Sequence, residues 1–104
     1  MAEYISERVR EIDGDTYDRW SGTITTGTTN RLTFSNVSKG YSVEFVNYST
    51  TADYTIKLNS TSNQPITIYR NTSKTMDDIE ITNIYLSNSS GSSISYEVIL
   101  VGAS

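Results

Sequence analysis

The chain contains no cysteine and no histidine. Disulfides, thiolate nucleophiles, most zinc sites and the commonest general base are therefore excluded together. Carboxylates, lysine, tyrosine and serine are what remain for catalysis, and no serine has an evident activating partner. Basic residues are few and scattered: eight Lys and Arg against twelve Asp and Glu give a net charge of -4 and a pI near 4.6. Phosphate-backbone binding, which draws its affinity from clustered Lys and Arg, is disfavoured. No apolar run approaches the roughly 20 residues that span a bilayer. The first residues carry acidic Glu3 where a secretion signal has a basic stretch and then an apolar one. The expectation is a soluble protein made in the cytoplasm, binding neither nucleic acid nor membrane, with no catalytic residue, no cofactor and no metal site.

What the chain does have is β chemistry. Its 104 residues are 36% hydrophobic and 19% charged, enough for one domain with a single thin core of two packed layers. Thr, Tyr, Ile and Val favour pleated surfaces, and helix-forming runs of Leu, Ala, Glu and Lys are missing. A domain this small without cross-links leans on packing or on oligomerisation.

One change of character falls near Trp20. Nine of the twenty charged residues lie in positions 1–20. There Ile5, Val9 and Ile12 fall at i, i+4 and i+7, one face of a short helix that Gly14 would end. A helix so short must dock on something or remain an arm. The division expected is an N-terminal arm or short helix over 1–20 and a β-sandwich domain over 21–104.

Beyond Gly22, turn signals recur every eight to twelve residues. The strands expected between them are 23–26, 31–36, 41–48, 54–58, 66–70, 79–86 and 94–101. That pattern predicts an all-β, antiparallel sandwich or jelly-roll-like domain of about seven strands. Alternation assigns Leu32, Phe34, Tyr41, Val43, Phe45, Tyr54, Ile56, Leu58, Ile66 and Ile68 to the core. In 79–86 the phase slips: Ile79 and Ile81 share one parity, Ile84 and Leu86 the other, as a bulge at Thr82-Asn83 would produce. Two segments rhyme without amounting to a repeat, Val46-Asn47-Tyr48 leading to Tyr54–Leu58 and Leu86-Ser87-Asn88 leading to Tyr96–Leu100.

The final strand is apolar on both faces. Ile94, Tyr96, Val98 and Leu100 alternate on one side, and Ile99 and Val101 lie on the other. Tyr48, Tyr69, Tyr85 and Val46 share this second parity. The stripe has three competing uses: cover by the N-terminal helix, burial against a neighbouring subunit, or a ligand platform for sugars; ordinary two-sided burial is the default, subunit contact comes next and the sugar platform third. The interface candidates are Tyr4, Ile5, Val9, Ile12, Trp20, Tyr69, Tyr85, Ile99 and Val101.

Other patterns are weaker. Asp77, Asp78 and Glu80 form the densest acidic cluster of the β region, and a solvated turn with charges blunting an edge accounts for it. Asp13-Gly14-Asp15 with Asp18 resembles the start of a calcium loop but lacks the closing ligands. Five Asn-x-Ser/Thr triplets begin at Asn36, Asn47, Asn59, Asn71 and Asn88, a number that chance supplies in a chain nearly one-third Ser and Thr.

The order Leu32-Thr33-Phe34, then Gly40-Tyr41-Ser42-Val43-Glu44-Phe45-Val46-Asn47-Tyr48-Ser49, then Tyr54–Ser60, then Ile79–Gly91 and a last apolar strand resembles small β-sandwich accessory proteins of tailed-phage virions, head decoration proteins above all. The resemblance spans roughly residues 22–102 and rests on strand order and Asn/Ser-rich turns. It implies a non-enzymatic structural protein of the bacteriophage virion. Such a protein would be a homo-oligomer, trimers being favoured, cementing the shell through contact with the major capsid protein or another virion protein. The alternative is a carbohydrate-binding module or tail-associated adhesin domain using exposed tyrosines, with Tyr69 and Tyr85 as stacking platforms.

Overall fold

A computed structural model describes residues 15–104. The helix or arm expected from Ile5, Val9 and Ile12, and the interface candidates Tyr4, Ile5, Val9 and Ile12, lie outside the described residues. Eight strands follow in order: β1 (Asp15–Ile24), β2 (Thr28–Arg31), β3 (Lys39–Asn47), β4 (Tyr54–Leu58), β5 (Ile66–Ile68), β6 (Thr72–Ile81), β7 (Ile84–Asn88) and β8 (Ile94–Ala103). They form two four-stranded antiparallel sheets, β1-β8-β3-β6 and β2-β7-β4-β5. Among consecutive strands only β4 and β5 are paired neighbours in one sheet. Every other connection crosses from one sheet to the other, which is the wiring of a jelly roll.

The core lies between the sheets. Alternation along β3, β4, β7 and β8 sends Val43, Phe45, Tyr54, Ile56, Leu58, Ile84, Leu86, Val98 and Leu100 inward, all buried. Each apolar side chain so removed from water is worth about 1.5–3 kcal/mol. Leu32, Val43, Phe45, Tyr54, Ile56, Leu58 and Ile68 are buried as expected, while Phe34 and Ile66 are half-buried at the margin. Tyr41 is displaced from the alternation, because the register of β3 against both β6 and β8 shifts between Gly40 and Ser42. That shift sits where two glycines meet. A Cβ on Gly102 would stand 2.1 Å from the Lys39 carbonyl oxygen and 2.7 Å from the Gly40 Cα, so only hydrogen fits between the paired strands.

Three expectations need correction. The change at Trp20 is no structural boundary, since β1 runs through it from Asp15 to Ile24. Residues 71–78, read as loop, belong largely to β6, a polar edge strand whose Lys74, Asp77, Asp78 and Glu80 protect it from pairing with other chains. The segment 79–86 is two strands. β6 ends at Ile81 in one sheet and β7 begins at Ile84 in the other, so Thr82-Asn83 is a corner between sheets. A corner and a bulge shift side-chain parity alike, which is why the sequence could not separate them. Ile79 is exposed although Ile81, which shares its parity, is buried; it follows Asp78, whose φ of 59° breaks the regular strand.

The weak rhyme has a structural counterpart. Exchanging β1 with β5, β2 with β6, β3 with β7 and β4 with β8 maps one sheet order onto the other. Side chains follow the same exchange. Asn47 ends β3 and Asn88 ends β7, and both are buried. Asn47 Oδ1 accepts the Ser49 N–H while its amide donates to the Ala52 and Ile68 carbonyls. Asn88 Oδ1 accepts the Ser90 N–H while its amide donates to the Ser92 and Ile24 carbonyls. Each asparagine thus closes its own loop and ties one sheet to the other. The left-handed residues Gly27 and Asn71 also match, each followed by a threonine whose hydroxyl donates back three residues, Thr28 to Thr25 and Thr72 to Tyr69.

Candidate functional site

The space between the sheets is lined by buried apolar side chains. Among the described residues no three carboxylates converge as a metal site would require. Asp77 accepts the Ser42 hydroxyl, and Glu80 pairs with Lys39 at 3.6 Å. The acidic cluster is thus divided among separate surface contacts. Asp18 is buried and accepts backbone N–H groups from Ser35, Asn36 and Val37 at 2.9–3.1 Å. Its oxygens are occupied by the chain itself, holding the β2–β3 connection against β1.

Attention therefore moves to the two outer sheet faces. On β1-β8-β3-β6, the positions alternating with the core bring Tyr17, Arg19, Glu97, Ile99, Val101, Ser42, Glu44 and Val46 to one surface. Ile99 and Val101 lie on β8, inside the sheet, with Val46 beside them on β3 and Tyr17 opposite Val101 on β1; Val101 is buried, and Ile99 and Val46 are half-buried. Tyr17 is 59% and Tyr48 56% exposed. The Tyr48 hydroxyl donates to Glu97 at 2.8 Å, and Arg19 pairs with the same carboxylate. These two contacts, Tyr48 first, hold the Glu97 carboxyl below its ordinary range, and Glu97 in turn raises the Tyr48 hydroxyl. The alternation of β8 read from sequence is therefore correct in both faces: one enters the core and the other forms the centre of this outer surface.

On β2-β7-β4-β5 the outer face is polar. Arg31 and Lys57 both face Tyr85, one from each neighbouring strand. The next row carries Thr29, Ser87, Thr55 and Thr67, a line of hydroxyls across all four strands. Beyond it Asp53 holds Arg70 through both carboxylate oxygens, at 2.9 and 3.1 Å, which keeps the Asp53 carboxyl below its usual range.

The interface candidates within the described residues do not gather in one patch. Ile99 and Val101 belong to the first outer face. Tyr85 lies on the second, half-buried in its row, while Tyr69 follows β5 at the far end of the same sheet and is exposed. These two tyrosines do not form a joint platform. Trp20 points to the core side, donates to the Thr33 carbonyl and packs on Phe34 with centroids 5.7 Å apart. Tyr17 and Tyr48 complete the first face; parity could have found Tyr17 had β1 been recognised.

The strand order and its two facing sheets define a jelly-roll-like β-sandwich domain. No family model matches the sequence, and no curated protein is similar to it. Among solved structures the chain is similar in fold to the cupin domain of an XRE-family transcriptional regulator from Enterobacter cloacae, with a TM-score of 0.58 at 14% identity over 81% of this chain and 79% of that one. This likeness supports the sandwich and jelly-roll expectation. It also overturns the function expected above: the similar structure is a domain of a transcriptional regulator, not a virion protein, and the decoration role, with its alternative of a sugar-binding or adhesin module, is withdrawn.

Proposed function

We propose that this chain is a non-catalytic jelly-roll module that acts through its outer surface and associates with copies of itself through the face of β1-β8-β3-β6. The observation that carries this reading is the half-buried apolar pair Ile99 and Val46 near the centre of that face, beside the buried Val101 and flanked by the exposed Tyr17 and Tyr48. Aromatic and aliphatic centres ringed by polar groups are the anatomy of subunit contacts. The ring here carries both signs. Arg19 lies in the same row as Glu44, which has no cationic partner among the described residues. A two-fold contact between copies places such a face against itself, so one copy's Arg19 can meet the other's Glu44. The absence of histidine and cysteine and the dispersal of the acidic residues support a binding rather than a catalytic role.

The test is the solution mass by light scattering across a dilution series, for the wild type and for Ile99→Lys. The wild type is expected to be oligomeric and Ile99→Lys monomeric with an unchanged near-ultraviolet circular dichroism spectrum. A wild type that is monomeric at every concentration overturns the proposal.

A further inference from the structure

We propose that the Arg31–Tyr85–Lys57 row, on the outer face of the second sheet, is a binding site for an acidic peptide segment. The three side chains come from β2, β7 and β4 and share one register position on the face opposite the core. Two strand spacings separate Arg31 from Lys57, about 10 Å between backbones. Acidic side chains on one face of an extended peptide repeat every 6–7 Å, within reach of two long and flexible cations.

The row is short of negative charge. Arg19, Lys39 and Arg70 each pair with a carboxylate. Among the described residues Arg31, Lys57 and Lys74 have no carboxylate partner; Arg31 donates to the Asn83 side-chain oxygen at 3.1 Å and Lys57 to the Thr61 carbonyl at 2.9 Å. The Tyr85 hydroxyl has no hydrogen-bond partner among the described residues. Three donors therefore share one row with no carboxylate bonded to them among the described residues, in a protein whose net charge is negative. Carboxylates laid along the row would accept charge-assisted hydrogen bonds from both cations. The adjoining hydroxyls of Thr55 and Thr67, beside the mutually hydrogen-bonded Thr29 and Ser87, supply donors and acceptors for a peptide backbone. Tyr85 is half-buried within the row, which favours carboxylate contacts over the open ring face that a stacked sugar needs.

The test is fluorescence anisotropy of a labelled short peptide of alternating Glu and Ser at low salt. Wild-type protein is expected to bind it, with affinity falling as salt is raised. The double variant Arg31→Gln/Lys57→Gln is expected to bind at least tenfold more weakly. Arg70→Gln/Lys74→Gln, which removes the same charge elsewhere, is expected to bind as the wild type does. No binding by the wild type, or equal weakening by both double variants, overturns the proposal. Binding of a uronic-acid oligomer in place of the peptide overturns it too, assigning the row to an acidic sugar.

Discussion

Replacing Asp18 by alanine is expected to cost about 3 kcal/mol of stability, although the residue lies on an edge strand in the most highly charged part of the sequence. Its carboxylate gathers three successive backbone donors, with Oδ2 accepting from Ser35, Asn36 and Val37 and Oδ1 accepting again from Asn36. Hydrogen bonds to a charged group contribute about 1.5–3 kcal/mol each. Ser35 and Asn36 are exposed and their N–H groups can return to water, whereas Val37 is buried and bears the full penalty of an unmet donor. One full loss and two partial ones give about 3 kcal/mol. An asparagine in place of Asp18 would fill the same volume with one acceptor oxygen, but its amide turns donors toward donors. Asp18→Asn is therefore expected to recover no more than about 1 kcal/mol of the loss. Urea unfolding followed by circular dichroism measures both variants, with a lowered midpoint and an unchanged m value. The accompanying fall in Tm is on the order of 15 °C. A loss below about 0.5 kcal/mol for Asp18→Ala, the level of an ordinary surface substitution, would refute the reasoning, as would full rescue by asparagine.

Two further outcomes follow from the same structure. Asn47→Ala and Asn88→Ala should each destabilise by about 2–3 kcal/mol by leaving buried carbonyls unmet; unfolding free energies from urea titration that differ by more than about 1 kcal/mol between the two would contradict their equivalence. Tyr54 is buried and donates to the Val46 carbonyl, and burial raises its hydroxyl well above the ordinary value near 10. Its neutral form is favoured in the folded state, so its contribution is complete below pH 10 and is lost as pH rises, at about 1.4 kcal/mol per pH unit. Unfolding free energies measured from pH 9 to 11 should fall less steeply for Tyr54→Phe, and identical slopes would show that Tyr54 does not titrate on unfolding.

What was legible in the sequence was the set of strands whose two faces differ in kind. β3, β4 and β8 announce themselves through alternation, and β8 additionally through a second apolar parity that the fold places at the centre of an outer face. β1 and β6 were hidden because each is an edge strand with many polar side chains, and charge density reads as arm or loop. In β1 the inward-facing Asp18 is satisfied by N–H groups from 17–19 residues away, a partnership no local pattern reports. Asn47 and Asn88 were visible only as two of five glycosylation-like triplets. Their burial makes them unsuitable as acceptors and gives them the structural task of tying the sheets.

The pseudo-symmetry also separates what holds the fold from what can specialise. Matched positions lie at corners and in the core: Asn47 with Asn88, Gly27 with Asn71, Thr28 with Thr72. The outer faces do not match. One has an apolar centre with its arginine paired to Glu97, while the other has a hydroxyl row beside two cations without carboxylates. Side chains that point outward leave the inter-sheet packing untouched, so the two faces are free to diverge while the corners are constrained. The proposed self-association and peptide binding sit on opposite sides of the sandwich, share no residue, and should respond to substitution independently. Ile99→Lys should change the oligomeric mass without altering peptide affinity per subunit, and Arg31→Gln/Lys57→Gln should do the reverse; a variant on one face that moved both readouts would mean that the sheets transmit what the packing between them predicts they isolate.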